Sequence, residues 1–252
     1  MTLQKVWLVT EASSGLGRAL VEEILRTGDL LVATAQNTAE LEPLVSKYGN
    51  QMRAATLNVR NSKQVEVAIR TALESFGRLD VLVNNASYGV RDAIRTITEE
   101  EFRTHIDSNF WGIVHTTRSV LPIMRAQGFG SILQITSVCD HIGTPDISGY
   151  GAVKSAIERL SEALALETWM LGIDVWIVEV GSFNSDVAGS SQIPEDSAES
   201  FSKPAHIPRT LLQTCYGVPG DIVGAALAIL ELAKVKLRVP RKSGGAASGC
   251  RK

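Results

Sequence analysis

The stretch Lys5-Val6-Trp7-Leu8-Val9-Thr10-Glu11-Ala12-Ser13-Ser14-Gly15-Leu16-Gly17-Arg18 decides the fold. A short apolar run passes straight into a turn with two glycines. A segment of helical period follows, with Leu16, Leu20, Ile24 and Leu25 on one stripe and Gly28 as its C-cap. A strand that enters a helix through such a turn is where a dinucleotide's pyrophosphate sits, because backbone N–H groups and the helix dipole both face the anion. A Gly-x-Gly alone is also compatible with a plain tight turn, so the rest of the chain must arbitrate.

The rhythm continues downstream. Apolar, β-branched runs predict strands over residues 6–10, 30–34, 53–59, 81–84, 131–136 and 174–180, with amphipathic stretches between them. This alternation signals βαβ units and a parallel sheet whose strands are apolar on both faces because helices cover both. One helix starts at Thr98, where Thr98 and Glu101 have capping-box spacing. The longest helical pattern covers 150–171 and ends at Gly172, and a last one covers 221–234. Residues 236–239 add a seventh, edge strand to the expectation. Over 182–217 Ser, Pro, Asp and Gly dominate, marking a candidate substrate loop or flap, and 241–252 read as a disordered tail. No repeat or linker divides the chain. The expected architecture is a single-domain, doubly wound α/β fold over 1–240, with a mainly parallel seven-stranded sheet and the site at the carboxyl ends of its strands.

Composition narrows the function. The 252 residues are 44% hydrophobic and 21% charged, as in a globular domain and unlike a disordered chain. A net charge of −2, with 25 basic residues spread among 27 acidic ones, provides no face for a phosphate backbone, so nucleic acid is not an expected partner. No apolar run reaches the roughly 18 to 20 residues of a membrane span, and a strand beginning near Lys5 leaves no room for a signal peptide. The expectation is a cytoplasmic protein without membrane attachment. Cys139, Cys215 and Cys250 are odd in number and far apart, which argues against a disulfide framework or a zinc site. His105, His115 and His206 are isolated, and Phe110 and Trp111 read as core.

Chemistry concentrates in Tyr150-Gly151-Ala152-Val153-Lys154, which places a phenol and an ammonium four residues apart on one helical face. A free tyrosine has a pKa of about 10 and is a poor acid or base at neutral pH, but a neighbouring cation favours the phenolate. Ser137 ends the fifth strand thirteen residues earlier and can reach the same crevice. The post-strand loop also holds Asp140 and His141 near Ser137, but a hydrolase triad is disfavoured because no G-x-S-x-G elbow exists.

In these positions the sequence resembles the single-domain short-chain dehydrogenase/reductases. The matching features are the phosphate turn from Thr10 to Gly17, Asn84-Asn85-Ala86 ending the fourth strand, Asn109 in Ser108-Asn109-Phe110-Trp111-Gly112, Ser137, Tyr150 and Lys154. The resemblance implies a Rossmann-type domain in which Tyr150 is the acid/base and Ser137 hydrogen-bonds the substrate oxygen. It further implies that Lys154 lowers the pKa of Tyr150 and holds the nicotinamide ribose, while Asn109 holds a water of the proton relay. The implied reaction is hydride transfer between a nicotinamide cofactor and a carbonyl or secondary alcohol of a small organic substrate. Tyr88, Phe183 and Phe201 lie where relatives fold around substrate, which suits an apolar or aromatic one. The implied cofactor contacts are Thr10, Ser13, Gly15, Leu16, Gly17, Gln36, Asn58, Asn85, Tyr150, Lys154 and Phe183. The resemblance also implies a homodimer or homotetramer built on the two long helices.

Several cofactor positions depart from the family pattern. Glu11 stands where the family has its first glycine. Two unit charges about 6 Å apart repel by roughly 3 kcal/mol at an effective dielectric near 20, about two decades in affinity. Ala35 replaces the aspartate of NAD-preferring relatives, and Gln36 the arginine of NADP-preferring ones. With no acid at position 35 to repel a 2′-phosphate, NADP(H) is expected over NAD(H). Asn58 replaces an aspartate near the adenine, Ser87 a glycine, and Val180 the proline after the sixth strand. Two alternatives therefore stay open: redox-neutral acid/base chemistry by the same four residues, and a non-catalytic nucleotide-binding relative.

Overall fold

The structure is a computed structural model and describes residues 4–87, 94, 96–137, 148–181 and 220–235. Among them six strands form one sheet: β1 (Val6–Val9), β2 (Leu30–Ala35), β3 (Met52–Thr56), β4 (Val81–Asn84), β5 (Gly130–Ser137) and β6 (Ile173–Val180). All neighbours pair in parallel, in the order β3-β2-β1-β4-β5-β6. The chain therefore winds outward from β1 to β3 and then returns to lay β4 on the other side of β1. That reversal opens a crevice between the carboxyl ends of β1 and β4, where such sheets bind ligands.

Alternation along β1 distributes the core. Trp7 and Val9 face a layer made by helix α1 (Gly15–Arg26), helix α2 (Glu42–Tyr48) and the last helix, together with Leu20, Ile24, Leu44 and Ile229. Val6 and Leu8 face the opposite layer, with Val65 and Ile69 of α3 (Ser62–Phe76), Val120 and Met124 of α5 (Gly112–Gln127), and Leu164 of α6 (Ser148–Thr168). Successive strand residues point to opposite faces, so a strand covered by helices on both sides must be apolar at every position. All four residues of β1 are accordingly buried.

The sequence expectations meet the structure closely, with local corrections. Thr98 and Glu101 form the predicted capping box at the start of α4 (Glu99–His105). Asp221 caps α7 (Ile222–Leu232). The first helix begins at Gly15 and its C-cap is Thr27 rather than Gly28, which follows in the left-handed region. The long helix ends at Thr168, and a tighter turn, Trp169–Leu171, carries the chain to Gly172. The third strand stops at Thr56 because Asn58 starts a turn: its side-chain oxygen accepts from the Arg60 N–H (3.0 Å) and its own N–H donates to Gln64 Oε1 (2.7 Å). Trp111 is not core; it is 44% exposed, with its ring edge-on to Phe110. The seventh strand, the 182–217 segment and the 241–252 tail lie outside the described residues. No described helix is long and apolar enough to cross a membrane.

Two left-handed glycines set the base of the sheet. A Cβ on Gly172 (φ +76°) would fall 2.3 Å from the Gly128 carbonyl oxygen, because the turns entering β5 and β6 are in backbone contact. Gly28 (φ +87°) has nothing within 4 Å. Gly28→Ala is expected to cost about 1 kcal/mol, the left-handed penalty alone. Gly172→Ala is expected to cost at least about 3 kcal/mol, since backbone must also move. Denaturant titration of the two variants checks the difference, and equal losses would show that the close approach is relaxed at no cost.

Candidate active site

The crevice is laced shut at its base by Thr10 and Asn85. Thr10 leaves β1 with its N–H on the Val83 carbonyl (3.1 Å). Its hydroxyl accepts from the backbone N–H groups of Asn85 and Ala86, both at 2.9 Å. The Asn85 side-chain amide answers by donating to the carbonyls of Thr10 (3.0 Å) and Glu11 (2.9 Å). Ala12 N–H bonds the Thr34 carbonyl at 2.7 Å, tying the turn to β2 as well. Gly17 is glycine for a visible reason: a Cβ there would sit 2.3 Å from the Glu11 carbonyl oxygen and 2.6 Å from Asn85 Nδ2. Gly15 is left-handed (φ +53°). Ser14, at the N-cap of α1, makes no side-chain capping bond, and the first turn holds no acidic residue. The leading N–H groups of α1 thus face the crevice end of the sheet without a side-chain cap, as a bound anion requires.

Glu11 stands out in this turn. It is the non-glycine residue with positive φ (+52°) among those described. The main chain keeps the conformation a glycine would adopt, and the residue bears a left-handed cost of about 1 to 3 kcal/mol. The Glu11 side chain is half-buried, and burial pushes its carboxyl above the usual carboxylate range. Arg18 does not answer it; its guanidinium is spent on Glu22 (2.8 Å) and the Glu40 carbonyl (2.8 Å).

The catalytic candidates gather around the carboxyl end of β5. Lys154 is 2% exposed, and its ammonium donates to the Ile135 carbonyl at 3.0 Å. The same nitrogen lies 5.5 Å from the centre of the Tyr150 ring, one helical turn back on α6. Ser137 is the last residue of β5, two beyond the carbonyl that holds Lys154. Asn109 is fully buried in a π-helical turn, Ile106–Trp111, joining α4 to α5. Single wide turns of this kind mark functional sites in many helices. Ile106 and Phe110 of that turn pack with Ile113 on Val153 and Ile157 of α6, which brings the Asn109 segment alongside the Tyr150–Lys154 helix.

Other predicted contacts are more dispersed. Gln36 is exposed just beyond β2, and Asn58 is half-buried with its oxygen engaged in its own turn. Ser13 is half-buried and Leu16 buried within the turn and first helix. Phe183, Tyr88, Cys139, His141 and Phe201 lie outside the described residues. Among the described residues no cluster of His, Cys, Asp and Glu is placed to hold a metal ion.

One part of the site escapes sequence reading. The Asn84 side chain donates to Gln134 Oε1 (2.9 Å) and to Thr117 (3.3 Å), and accepts from the Thr116 hydroxyl (2.6 Å). This buried network pins α5 to β4 and β5 just below the Asn109 turn. Its only sequence signal is a glutamine inside an otherwise apolar strand.

Comparison with known proteins agrees with this geometry. Residues 5–196 match the short chain dehydrogenase family. The chain belongs to that family. An oxidoreductase of Botryotinia fuckeliana, BOA17, is 38% identical over 194 residues, covering 76% of this chain and 71% of the relative. The 3-ketodihydrosphingosine reductase of Bacteroides thetaiotaomicron is 34% identical over 203 residues, covering 78% and 73%. A short-chain dehydrogenase from Streptomyces avermitilis superposes with a TM-score of 0.81 at 36% identity, over 94% of this chain and 86% of that one. As a short-chain dehydrogenase the chain is an oxidoreductase of Rossmann-type α/β fold, in a family that uses nicotinamide dinucleotides on small molecules.

Two outcomes are expected. Thr116→Val, which keeps shape but orphans Asn84 Oδ1, should lower stability by about 1 to 3 kcal/mol. Glu11→Gly should raise it by about 1 kcal/mol at neutral pH by removing the left-handed side chain. Urea titration reads both, and a destabilised Glu11→Gly would show that the side chain holds the turn together.

Proposed function

We propose that the chain transfers hydride between NADP(H) and a carbonyl or secondary alcohol of a small apolar or aromatic substrate, with Tyr150 as acid/base. The observation that carries the reading is the Lys154 ammonium, buried, fixed to a strand carbonyl and stacked against the Tyr150 ring. Burying a cation is costly unless something uses its charge. The relative from Bacteroides thetaiotaomicron is named for the reduction of a ketone, which suits a carbonyl substrate.

The residues present fit the cofactor. The left-handed turn at Gly15 and the uncapped N–H groups of α1 suit a pyrophosphate. Thr10, Ser13, Gly15, Leu16, Gly17 and Asn85 would line it, Gln36 and Asn58 would lie toward the adenosine, and Tyr150, Lys154 and Phe183 toward the nicotinamide. Neutral Ala35 and Gln36 are the ground for NADP(H), with NAD(H) also admissible. What a bound nicotinamide supplies is the hydride and its electron pair. The protein's residues handle the proton. The Tyr150 hydroxyl gives it to the carbonyl oxygen in reduction and receives it from the alcohol in oxidation. Ser137 donates a hydrogen bond to that oxygen and orients it. The Lys154 ammonium stabilises the negative charge that develops on the phenol oxygen, and Asn109 orients the water that returns the proton. The reading extends to a cytoplasmic homodimer or homotetramer packed through α5 and α6, beside which Leu166 and Met170 are 78% and 73% exposed.

A redox-neutral use of the same residues is the second reading, and Glu11 in the phosphate turn is the observation that favours it. Cofactor binding and turnover separate the two. Tyr150→Phe is expected to cut nucleotide-dependent carbonyl turnover by about 10²- to 10⁴-fold. Its affinity for NADPH or NADH, followed by fluorescence, should fall by no more than about tenfold, because only the contact of one hydroxyl is lost and the pyrophosphate turn is untouched. Failure of both nucleotides to bind at millimolar concentration overturns hydride transfer.

A further inference from the structure

The carboxylate of Glu11 has no role in the proposed reaction, yet it occupies the turn that must receive a dianionic pyrophosphate. Three features define its situation. The backbone is held left-handed there by bonds on both sides, Asn85 Nδ2 to the Glu11 carbonyl at 2.9 Å and Ala12 N–H to the Thr34 carbonyl at 2.7 Å, so the residue cannot swing away with its main chain. The Glu11 side chain is half-buried rather than spread into solvent. Among the described residues its surroundings offer no compensating charge: β1 presents Thr10, the end of β2 presents Thr34 and Ala35, and the end of β4 presents Asn84, Asn85, Ala86 and Ser87, all neutral. The turn itself adds Ser13 and Ser14, and α1 adds Gly17, also neutral, and Arg18, which is bound to Glu22 and to the Glu40 carbonyl.

Given the dinucleotide site proposed above, on which this step rests, we propose that Glu11 makes cofactor binding proton-linked: the pyrophosphate enters the turn with the Glu11 carboxyl neutral, and one proton is taken up from solvent on binding. The proton joins a carboxylate oxygen, giving a neutral carboxylic acid, and no electrons move. The neutral acid removes the repulsion and leaves an O–H donor in the turn.

The sign is set by linkage. Desolvation already favours the protonated acid in the free protein. The negative charge of a pyrophosphate bound in the same turn favours it further. Affinity is therefore greatest below the carboxyl's value in the free protein. It declines as pH rises through the interval between the free and bound values, by about a hundredfold in total, and is level again above that interval. The charge acts on the pyrophosphate common to NADH and NADPH, so both should show the effect.

The test is calorimetric titration of NADH and of NADPH into the wild type, Glu11→Gln and Glu11→Gly, from roughly pH 5 to roughly pH 9, in paired buffers of different ionisation enthalpy. The wild type should bind more weakly as pH rises, by up to about a hundredfold, with uptake approaching one proton in the sloping region. Glu11→Gln keeps the side-chain shape and should bind within about threefold of the wild type's acid limit at every pH, with no linked proton at this site. Glu11→Gly should be equally flat and serves should the glutamine variant fail to fold. A wild-type profile that is level, or one that both variants reproduce, overturns the proposal while leaving the dinucleotide site standing. No binding by any of the three proteins at any pH overturns the dinucleotide site itself.

Discussion

A parallel sheet that winds outward in both directions from its centre has to hold two strand ends apart without letting them separate, and here that constraint is met by Thr10 and Asn85. The Thr10 hydroxyl gathers two backbone N–H groups from the end of β4, while the Asn85 side chain returns two bonds to the turn after β1. Strand pairing stops at Val9 and Asn84, so beyond it these side-chain bonds replace the ladder. The position of α1, the shape of the phosphate turn and the handedness of Glu11 all depend on that clasp. Gly17 does too, since the amide of Asn85 fills the space its side chain would need.

The second half of the site is organised around β5. Its inner carbonyl at Ile135 holds the Lys154 ammonium, its glutamine joins the Asn84 network, and its last residue is Ser137. One strand thus fixes a cation, a buried polar core and a hydroxyl within a few residues. Helix α6 contributes Tyr150 and Lys154 from one face, and the wide turn before α5 supplies Asn109 from the other side. Rigid elements carry all four groups, as the proposed proton path requires.

Much of this was legible in the chain itself. Strands β1, β2 and β4 are continuous apolar runs bounded by polar turns, and burial on both faces leaves no other pattern open to them. Tyr150 and Lys154 were legible because helical spacing alone makes them neighbours, and Thr98 with Glu101 because a capping box is local. The end of β3 was not, since the hydrogen bond from Asn58 to Gln64 that stops it depends on how α3 docks. The wide turn at Asn109 was hidden because it depends on how α4 and α5 dock, and the outward Trp111 because a large apolar ring reads as core, although helical spacing sets it off the buried stripe of Asn109, Ile113, Thr116 and Val120. Thr116, Thr117 and Gln134 are far apart in the chain and become partners only when α5 lies against the sheet. Glu11 was visible as a departure, but not that its backbone would keep a glycine's conformation.

The bond from Lys154 to the Ile135 carbonyl also constrains the sheet mechanically. Strand residues alternate faces, so sliding β5 by a single residue would turn that carbonyl to the neighbouring strand and leave a buried ammonium stranded. The side chain proposed to serve the chemistry therefore doubles as a locking pin for strand alignment, and its loss would loosen the architecture.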